Sequence, residues 1–169
     1  FLSKNARFHA KLLFKQDGIL CGRPVFDAVC RVVSKRIKVR WLAKEGARLK
    51  AGTTAARLSG PRELLSVERT ALNFLQKLSG MATLTAAYVR AAGGSKTGIY
   101  DTRKTLPGWR SLSKYAVRVG GGRNHRMGLY DMAMIKDNHL AGMLPERAQK
   151  LMRAFRKKHR GLKVQIEAA

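Results

Sequence analysis

The chain has 169 residues, 45% of them hydrophobic, and its 35 Lys+Arg against 10 Asp+Glu give a formal net charge of +25. This length suits one domain or slightly more, and the Gly and Pro counts of 16 and 4 exclude collagen-like and Pro-rich chains. No stretch approaches the roughly 18 apolar residues of a membrane-spanning helix, and the N-terminus lacks the apolar run of a secretory signal. We therefore expect a cytoplasmic protein without a membrane partner.

The first sixty residues combine strand and helix patterns. Residues 8–15 partly alternate between apolar and polar side chains and end at Asp17-Gly18, which predicts a strand and a turn. After Pro24, apolar residues recur at helical spacing over residues 25–33. Short apolar runs separated by glycines over residues 37–59 predict two or three strands. This part of the chain is therefore expected to be a small α+β domain.

A helical pattern then extends from residue 62 to residue 92, with an expected interruption at Ser79-Gly80. Beyond the glycines at 93 and 94, the pattern alternates regularly. The predicted elements are a strand at 97–100, a helix at 112–119, a strand at 132–135, a helix at 145–159 and a strand at 163–166. Strands that alternate with helices predict βαβ units in a parallel sheet or barrel.

The predicted fold class is therefore α/β, with a small α+β N-terminal domain followed by the first part of an α/β barrel. We place the N-terminal domain at residues 1–90 and the barrel part at residues 91–169. The last predicted strand has nothing after it, although a parallel strand is normally covered on both faces. We therefore expect the barrel part to be incomplete.

Cysteine usage indicates packing rather than chemistry. Cys21 and Cys30 are too few for a disulfide framework, and their spacing matches no metal-ligand pattern. Both are predicted to be buried core thiols.

The densest run of positive charge lies between Arg147 and Lys163, where eight of seventeen residues are Lys or Arg. Such runs usually mark a solvated helix face. A nucleic-acid patch is the alternative, although Phe155 is the only aromatic residue in the run and a stacking platform for single strands is missing.

Three polar clusters stand out in the second half of the chain. Asp101-Thr102-Arg103-Lys104-Thr105 follows one predicted strand, residues 136–139 follow another, and residues 120–126 follow a predicted helix. α/β folds present ligand-binding residues at the C-terminal ends of their strands. We therefore expect the clusters to share one site, with Arg103 and Lys136 converging on a common pocket.

The side chains in these clusters suit an anionic ligand. Arginine grips a carboxylate or phosphate with two hydrogen bonds, and lysine adds a mobile point charge, so Arg103-Lys104 is suited to hold anionic groups. His125-Arg126 offers a ring nitrogen and a fixed cation to a planar acidic ring, and the glycines at 120–122 allow close approach to a ligand. A solvated charge pair and a structural histidine are the respective alternatives.

Six blocks, taken together and in this order, resemble the quinolinate phosphoribosyltransferase family, also called nicotinate-nucleotide pyrophosphorylase. The blocks are Glu68-Arg69-Thr70-Ala71-Leu72-Asn73-Phe74, Leu78-Ser79-Gly80-Met81-Ala82-Thr83, Asp101-Thr102-Arg103-Lys104-Thr105-Leu106-Pro107-Gly108, Lys114-Tyr115-Ala116-Val117-Arg118, Gly120-Gly121-Gly122-Arg123-Asn124-His125-Arg126-Met127-Gly128-Leu129 and Ile135-Lys136-Asp137-Asn138-His139. The likeness extends over essentially the whole chain.

The resemblance implies phosphoribosyl transfer from phosphoribosyl pyrophosphate to quinolinate with decarboxylation, which yields nicotinate mononucleotide, pyrophosphate and carbon dioxide. It implies Mg²⁺ with phosphoribosyl pyrophosphate, and catalytic roles for Lys136 and Glu167. It also implies a homodimer in which Arg69 reaches the neighbouring subunit's site. The implied substrate-binding residues are Arg69, Thr102, Arg103, Lys104, His125, Arg126, Lys136 and Glu167.

Two alternatives stay open at this point. The excess of 25 positive charges fits a nucleic-acid-binding protein built on an enzyme-like scaffold. An inactive fragment that retains the scaffold is the other. The family's later barrel strands and their phosphate loops have no counterpart in these 169 residues, so activity of this stretch alone is in doubt.

Overall fold

A computed structural model describes residues 6–94 and 97–166 of the chain. Two compact units are present, residues 1–124 and residues 125–169. No helix in the described part is long and apolar enough to cross a membrane.

The described residues of the first unit, 6–94 and 97–124, form five strands and three helices. In chain order they are β1 (Phe8–Leu13), β2 (Gly18–Ile19), α1 (Arg23–Val33), β3 (Lys38–Trp41), β4 (Arg48–Leu49), β5 (Thr54–Gly60), α2 (Glu63–Ala91) and α3 (Arg110–Val119). Antiparallel pairing gives one sheet in the order β1-β5-β3 and a second, short pair of β2 with β4. The predicted early strand, the helix after Pro24 and the three strands before residue 60 are confirmed.

Helix α1 begins where the sequence supplies both a proline and a carboxylate. Pro24 occupies the first turn, where a missing N–H is tolerated. The Glu45 carboxylate accepts hydrogen bonds from the backbone N–H groups of Gly22, at 2.6 Å, and Arg23, at 3.0 Å. These two bonds satisfy donors that a helix start leaves without partners.

Helix α2 is continuous, so the predicted interruption at Ser79-Gly80 is wrong. The Ser79 hydroxyl accepts a hydrogen bond from the Cys21 backbone N–H at 3.0 Å and donates to the Cys21 carbonyl at 3.1 Å. Gly80 is exposed, and its helical conformation costs only about 1 kcal/mol relative to Ala. Burial of the neighbouring residues Leu78 and Ala82 outweighs that cost.

Two buried clusters hold the first unit together. The larger packs α1 and α2 against the inner face of the β1-β5-β3 sheet, and the smaller packs α3 against α2. Cys21 and Cys30 are free and buried, which confirms their prediction as core thiols. Burial raises the pKa of the Cys21 thiol to about 12 and that of Cys30 to about 11, so neither is a ready nucleophile.

The predicted strand over residues 97–100 is wrong. Its only ladder contact is an isolated parallel bridge between Tyr100 and Arg123. The Arg123 N–H donates to the Ile99 carbonyl at 2.7 Å, and the Asp101 N–H donates to the Arg123 carbonyl at 3.1 Å. Because its partner Arg123 lies in a loop, the pairing consists of this one bridge and does not extend into a ladder.

The second unit is a parallel βαβ unit. It contains β6 (Met132–Ile135), α4 (Asp137–Leu140), α5 (Pro145–Lys158) and β7 (Lys163–Ile166). β6 and β7 pair in parallel from Met132↔Lys163 to Ile135↔Ile166, which confirms the predicted strand-helix-strand order. α4 was not predicted; its single turn closes when the His139 backbone N–H donates to the Lys136 carbonyl at 2.9 Å.

Candidate anion-binding site

The segment that carries Thr102, Arg103 and Lys104 starts at a buried ion pair. Lys114, on α3, places its Nζ 2.6 Å from Asp101 Oδ1, and the two side chains are 2% and 6% exposed. A lysine is rarely buried to this extent unless its charge is paired. The pair therefore fixes the start of the segment on the packed core of the first unit.

Asn124 extends this ion pair to a second stretch of chain. Its side-chain amide nitrogen donates to Asp101 Oδ2 and to the Lys114 backbone carbonyl, both at 2.9 Å. Asp101 thus accepts from a helix on one oxygen and from the loop after that helix on the other. Sequence reasoning missed this arrangement, because neither Lys114 nor Asn124 was singled out within its block.

Arg103 combines burial with an unused donor. Its Nη1 is buried and has no hydrogen-bond partner within residues 6–94 and 97–166. The backbone around it is fixed, because the Arg103 carbonyl accepts from the Thr105 N–H at 2.9 Å and from Arg110 Nη2 at 3.3 Å. A buried guanidinium N–H without a partner is costly, and a carboxylate or phosphate is its best-matched acceptor.

Thr102 and Lys104 lie beside Arg103 and are exposed. The Thr102 hydroxyl accepts a hydrogen bond from the Lys104 backbone N–H at 3.1 Å. This contact shapes the turn and involves the backbone of Lys104, not its side chain. The structure therefore brings three of the predicted ligands together on one short segment.

The glycines at 120–122 serve packing against α2. A Cβ at Gly120 would lie 2.4 Å from the Ala82 carbonyl oxygen, and one at Gly122 would lie 2.8 Å from Thr85 Cγ2. Gly121 has φ +88°, which favours glycine. The close backbone approach predicted from these glycines is present, and its partner in the structure is a helix rather than a ligand.

A second, half-buried polar contact ties α3 to the rest of the first unit. The Tyr115 hydroxyl donates to Glu45 Oε1 at 2.7 Å, the carboxylate that also binds the start of α1. Burial, and then the hydrogen bond to Glu45, raises the pKa of Tyr115 above its ordinary value. α3 is therefore fixed by two adjacent residues, Lys114 and Tyr115.

In the second unit, His125 and Arg126 contact its own strands. A His125 ring nitrogen, Nε2, hydrogen-bonds Gln165 Oε1 on β7. Arg126 is half-buried and donates from Nη1 to the Met132 carbonyl at 3.0 Å and from Nη2 to Met134 Sδ at 3.4 Å. Both residues thus have structural partners, and Gln165 is a contact that sequence reasoning missed.

Lys136 follows β6 directly, as predicted. Its backbone N–H donates to His139 Nδ1 at 3.0 Å, which leaves the proton of a neutral His139 ring on Nε2. Arg69 lies on α2 and is exposed. Glu167 lies outside the described residues. The convergence of Arg103 and Lys136 on one pocket stays a prediction.

The described residues contain no cluster of metal-ligating side chains. Within them, no group of three or more His, Cys, Asp or Glu side chains is placed to hold a metal ion. The Asp101 carboxylate, the acid nearest the cationic segment in sequence, is already engaged by Lys114 and Asn124.

An α+β unit followed by a parallel βαβ unit, with cations on the segment after Asp101 and at the end of β6, defines an α/β protein with a cationic segment suited to small anions. Residues 1–79 match the family model described as the N-terminal domain of quinolinate phosphoribosyl transferase. Residues 81–169 match the C-terminal domain of the same family. The chain belongs to the quinolinate phosphoribosyltransferase family, which confirms the resemblance read from the six blocks.

Curated relatives and solved structures agree with this assignment. The chain is 41% identical over 161 residues to the chloroplastic nicotinate-nucleotide pyrophosphorylase (carboxylating) of Arabidopsis thaliana, which covers 94% of this chain and 46% of the relative. It is 44% identical over 148 residues to a probable nicotinate-nucleotide pyrophosphorylase of Bacillus subtilis, covering 86% of this chain and 51% of the relative. The chain thus spans about half the length of these two relatives.

The crystal structure of NadC from Streptococcus pyogenes superposes with a TM-score of 0.90 at 40% identity, covering 99% of this chain and 59% of that chain. The nicotinate-nucleotide pyrophosphorylase of Francisella tularensis gives a TM-score of 0.90 at 36% identity with the same coverage. These matches confirm the predicted fold class. They favour the enzyme family over a nucleic-acid-binding protein on an enzyme-like scaffold.

Proposed function

We propose that the chain is part of an enzyme that transfers a phosphoribosyl group from phosphoribosyl pyrophosphate to the ring nitrogen of quinolinate. One carboxylate leaves as carbon dioxide, pyrophosphate is released, and nicotinate mononucleotide is formed. Family membership over both matched domains supports this reaction. A relative from Nicotiana tabacum, 42% identical over 133 residues, is named quinolinate phosphoribosyltransferase (decarboxylating).

The observation that carries the proposal is the buried side-chain donor of Arg103. Its Nη1 is buried and without a hydrogen-bond partner in the described ranges. A quinolinate carboxylate would satisfy that donor and, through a two-oxygen fork, hold the ring in one orientation. Thr102 and Lys104, on the same segment, are proposed to complete the contacts to the acid groups.

The buried ion pair prepares this segment before substrate arrives. Asp101, at the head of the segment, is held by Lys114 and Asn124. Cations fixed in advance stabilise negative charge without reorganisation at the moment of reaction. Such fixed charge suits both the binding of a dicarboxylate and the departure of pyrophosphate.

His125, Arg126 and Lys136 are proposed to bind quinolinate as well, with Lys136 and Glu167 in the catalytic roles that the family resemblance implies. His125 and Arg126 hold structural partners in the structure, Gln165, Met132 and Met134. To bind substrate, each of these side chains must either keep its structural partner and contact substrate as well, or exchange that partner for substrate.

We further propose a homodimer in which Arg69 contributes to the neighbouring subunit's site. The exposed position of Arg69 on α2 supports this role, because an exposed guanidinium is accessible to a partner. Mg²⁺ is proposed to enter with the phosphates of phosphoribosyl pyrophosphate, which suits an ion usually bound by few carboxylates and by substrate phosphates. A cytoplasmic location is supported by the free thiols of Cys21 and Cys30.

Isothermal titration calorimetry with quinolinate tests the proposal. The wild-type chain is expected to bind, and Arg103→Ala is expected to abolish detectable heat because the buried donor is lost. Arg31→Ala, an exposed arginine on α1, is the matched control and should bind like wild type. Nicotinate, with one carboxylate fewer, should bind roughly 10- to 100-fold more weakly, since one charge-assisted hydrogen bond is worth about 1.5–3 kcal/mol. Unchanged affinity in Arg103→Ala contradicts the proposal.

A further inference from the structure

The outer face of the β1-β5-β3 sheet carries a row of three cations in register. Lys11 on β1 pairs with Arg57 on β5, and Arg57 pairs with Arg40 on β3. All three residues are exposed. Directly opposed residues on neighbouring strands have Cβ atoms about 4.5–5.5 Å apart, so like charges in these positions repel each other.

The next row on the same face is also basic. Successive side chains of a strand alternate between faces, so His9, Ser59 and Lys38 lie on the face that carries the first row. These three residues are aligned by the same pairing, His9↔Ser59 and Lys38↔Ser59. The inner face carries Leu12, Leu58 and other core residues instead.

The basic surface continues past the end of the sheet. A groove of about 430 Å³ is lined in part by Arg7, Lys35, Arg36 and Lys38. Lys38 belongs to both the groove and the second row, so the two surfaces are continuous. We call this surface the cationic face, defined as Arg7, His9, Lys11, Lys35, Arg36, Lys38, Arg40 and Arg57.

The central charges of the cationic face have no internal counterions. Lys11, Lys38, Arg40 and Arg57 make no side-chain hydrogen bond or ion pair with any residue in the described ranges, and none of the strands β1, β3 and β5 contains an acidic residue. Arg36 alone is paired, with Glu63 at 3.2 Å. The proposed chemistry at Arg103 uses none of these side chains.

We propose that the cationic face binds the phosphate backbone of single-stranded nucleic acid without base selection, as an activity separate from the proposed enzymatic one. Three fixed cations across three strands match a flexible chain of regularly spaced phosphates, and binding releases counterions from it. The face presents no exposed aromatic residue on which bases would stack, so the proposed contacts are to backbone phosphates alone, which carry no sequence information.

Other occupants fit this surface less well. Pairing of this face with the same face of a second copy would oppose like charges, and the proposed homodimer brings Arg69 on α2, not this face, to the neighbouring subunit. Protein interfaces depend on buried aromatic and apolar anchors. The eight residues of the cationic face are all basic, and of the strands β1, β3 and β5 only β1 has an exposed large apolar residue, Leu13.

Binding of a fluorescein-labelled oligothymidylate, measured by anisotropy over a salt series, tests this proposal. The face variant is Lys11→Thr/Arg40→Thr/Arg57→Thr, in which threonine keeps a high strand propensity. The matched control is Arg153→Gln/Arg156→Gln/Lys157→Gln on α5, which removes the same charge from exposed positions. Arg153, Arg156 and Lys157 are spaced i, i+3 and i+4, so they also share one helix face and match the clustering of the sheet row.

The face variant should lower the slope of log affinity against log salt by about 2, because each phosphate contact to a single strand contributes about 0.7. At 0.1 M salt this corresponds to roughly 100-fold weaker binding, and the α5 variant should lose less than a tenth of that. The melting temperature of the face variant should equal or exceed that of wild type, since the repulsion within the row is relieved.

Three outcomes overturn the proposal. Equal losses in the two variants mean that the chain-wide charge, not the cationic face, attracts the oligonucleotide. Displacement by polyglutamate as efficiently as by unlabelled oligonucleotide means that the face recognises carboxylates in general. A change of oligomeric state in the face variant, measured by light scattering, means that the face joins copies of the chain.

Discussion

The polar segments of the two units are supported by packing to different extents. In the first unit, residues 101–104 start from an ion pair whose side chains are 2% and 6% exposed, beside two buried apolar clusters. In the described part of the second unit, residues 125–166, no residue is fully buried, and apolar side chains of β6, α5 and β7 line an open cavity of about 330 Å³. Residues 136–139 therefore depend on local contacts.

The predicted ligands of the two units are therefore held in place to different degrees before substrate binds. Arg103 occupies its position because Asp101, Lys114 and α3 are packed in place. Lys136 is positioned by the end of β6 and by the bond from its N–H to His139. The first unit is therefore expected to hold its part of the site without help, and the second to become fixed only when its apolar side is covered.

The largest expected effect comes from breaking the buried ion pair. Lys114→Met removes the ammonium and leaves the Asp101 carboxylate buried without its partner charge, which should cost about 3–5 kcal/mol of unfolding free energy. Urea denaturation followed by tryptophan fluorescence measures this, since Trp41 and Trp109 both lie in the first unit.

Lys104→Met is the matched control, because Lys104 is exposed on the same segment. It should change stability by less than about 0.5 kcal/mol. The double variant Lys114→Met/Asp101→Leu should recover part of the loss, since no unpaired charge remains buried. Equal effects of Lys114→Met and Lys104→Met would show that the ion pair does not support the segment.

A pair of leucine truncations compares the two units directly. Leu78 on α2 is fully buried, whereas Leu151 on α5 is 52% exposed. Leu78→Ala should cost about 2–5 kcal/mol through lost burial and a residual cavity, and Leu151→Ala should cost less than about 1 kcal/mol. Amide hydrogen exchange reports on the two units separately. Similar losses of protection in the two variants would show that the second unit is packed as tightly as the first.

Two glycine substitutions should have opposite signs within the first unit. Gly120→Ala would place its Cβ 2.4 Å from the Ala82 carbonyl oxygen, so α3 must shift from α2 at a cost of about 1–3 kcal/mol. Gly80→Ala meets no atom within 4 Å and should stabilise α2 by up to about 1 kcal/mol. Thermal denaturation of the two variants measures both effects, and a stabilising Gly120→Ala would contradict the packing account.

Stability is also expected to depend on alkaline pH. Burial raises the pKa of Cys30 to about 11, so between the ordinary thiol pKa, about 8.5, and pH 11 the folded state holds a proton that the unfolded state loses. Its contribution is complete below about pH 8.5 and decreases by at most about 1.4 kcal/mol per pH unit above it. Unfolding free energies at pH 7.5 and pH 10.5 should therefore differ less in Cys30→Ala than in wild type.

Apolar spacing predicted the elements whose burial is periodic. The helices α1, α3 and α5 and the strands β5 and β6 were predicted from apolar spacing or from short apolar runs, and the structure confirms them; β6 is half-buried throughout rather than alternating. The spacing failed at residues 97–100, where the apolar residues meet a loop through one bridge. It failed again at Ser79-Gly80, where a contact to Cys21, 58 residues away in sequence, favours a continuous helix.

The candidate site was predictable where charge alone reveals it. Arg103 and Lys104 stand out as adjacent cations after an apolar stretch. Lys114 does not, because a lysine in a short basic helix usually indicates solvent exposure, and its partner Asp101 lies 13 residues earlier. Gln165 carries no charge, so nothing in the sequence marks it as a contact. Its position beside His125 follows from the parallel pairing of β6 with β7, which only the folded chain defines.

A crystal structure of the chain with quinolinate tests the central claim most directly. A quinolinate carboxylate is expected within hydrogen-bond distance of Arg103 Nη1, with the Asp101 to Lys114 contact retained. A carboxylate bound elsewhere while Arg103 Nη1 keeps no partner would contradict it.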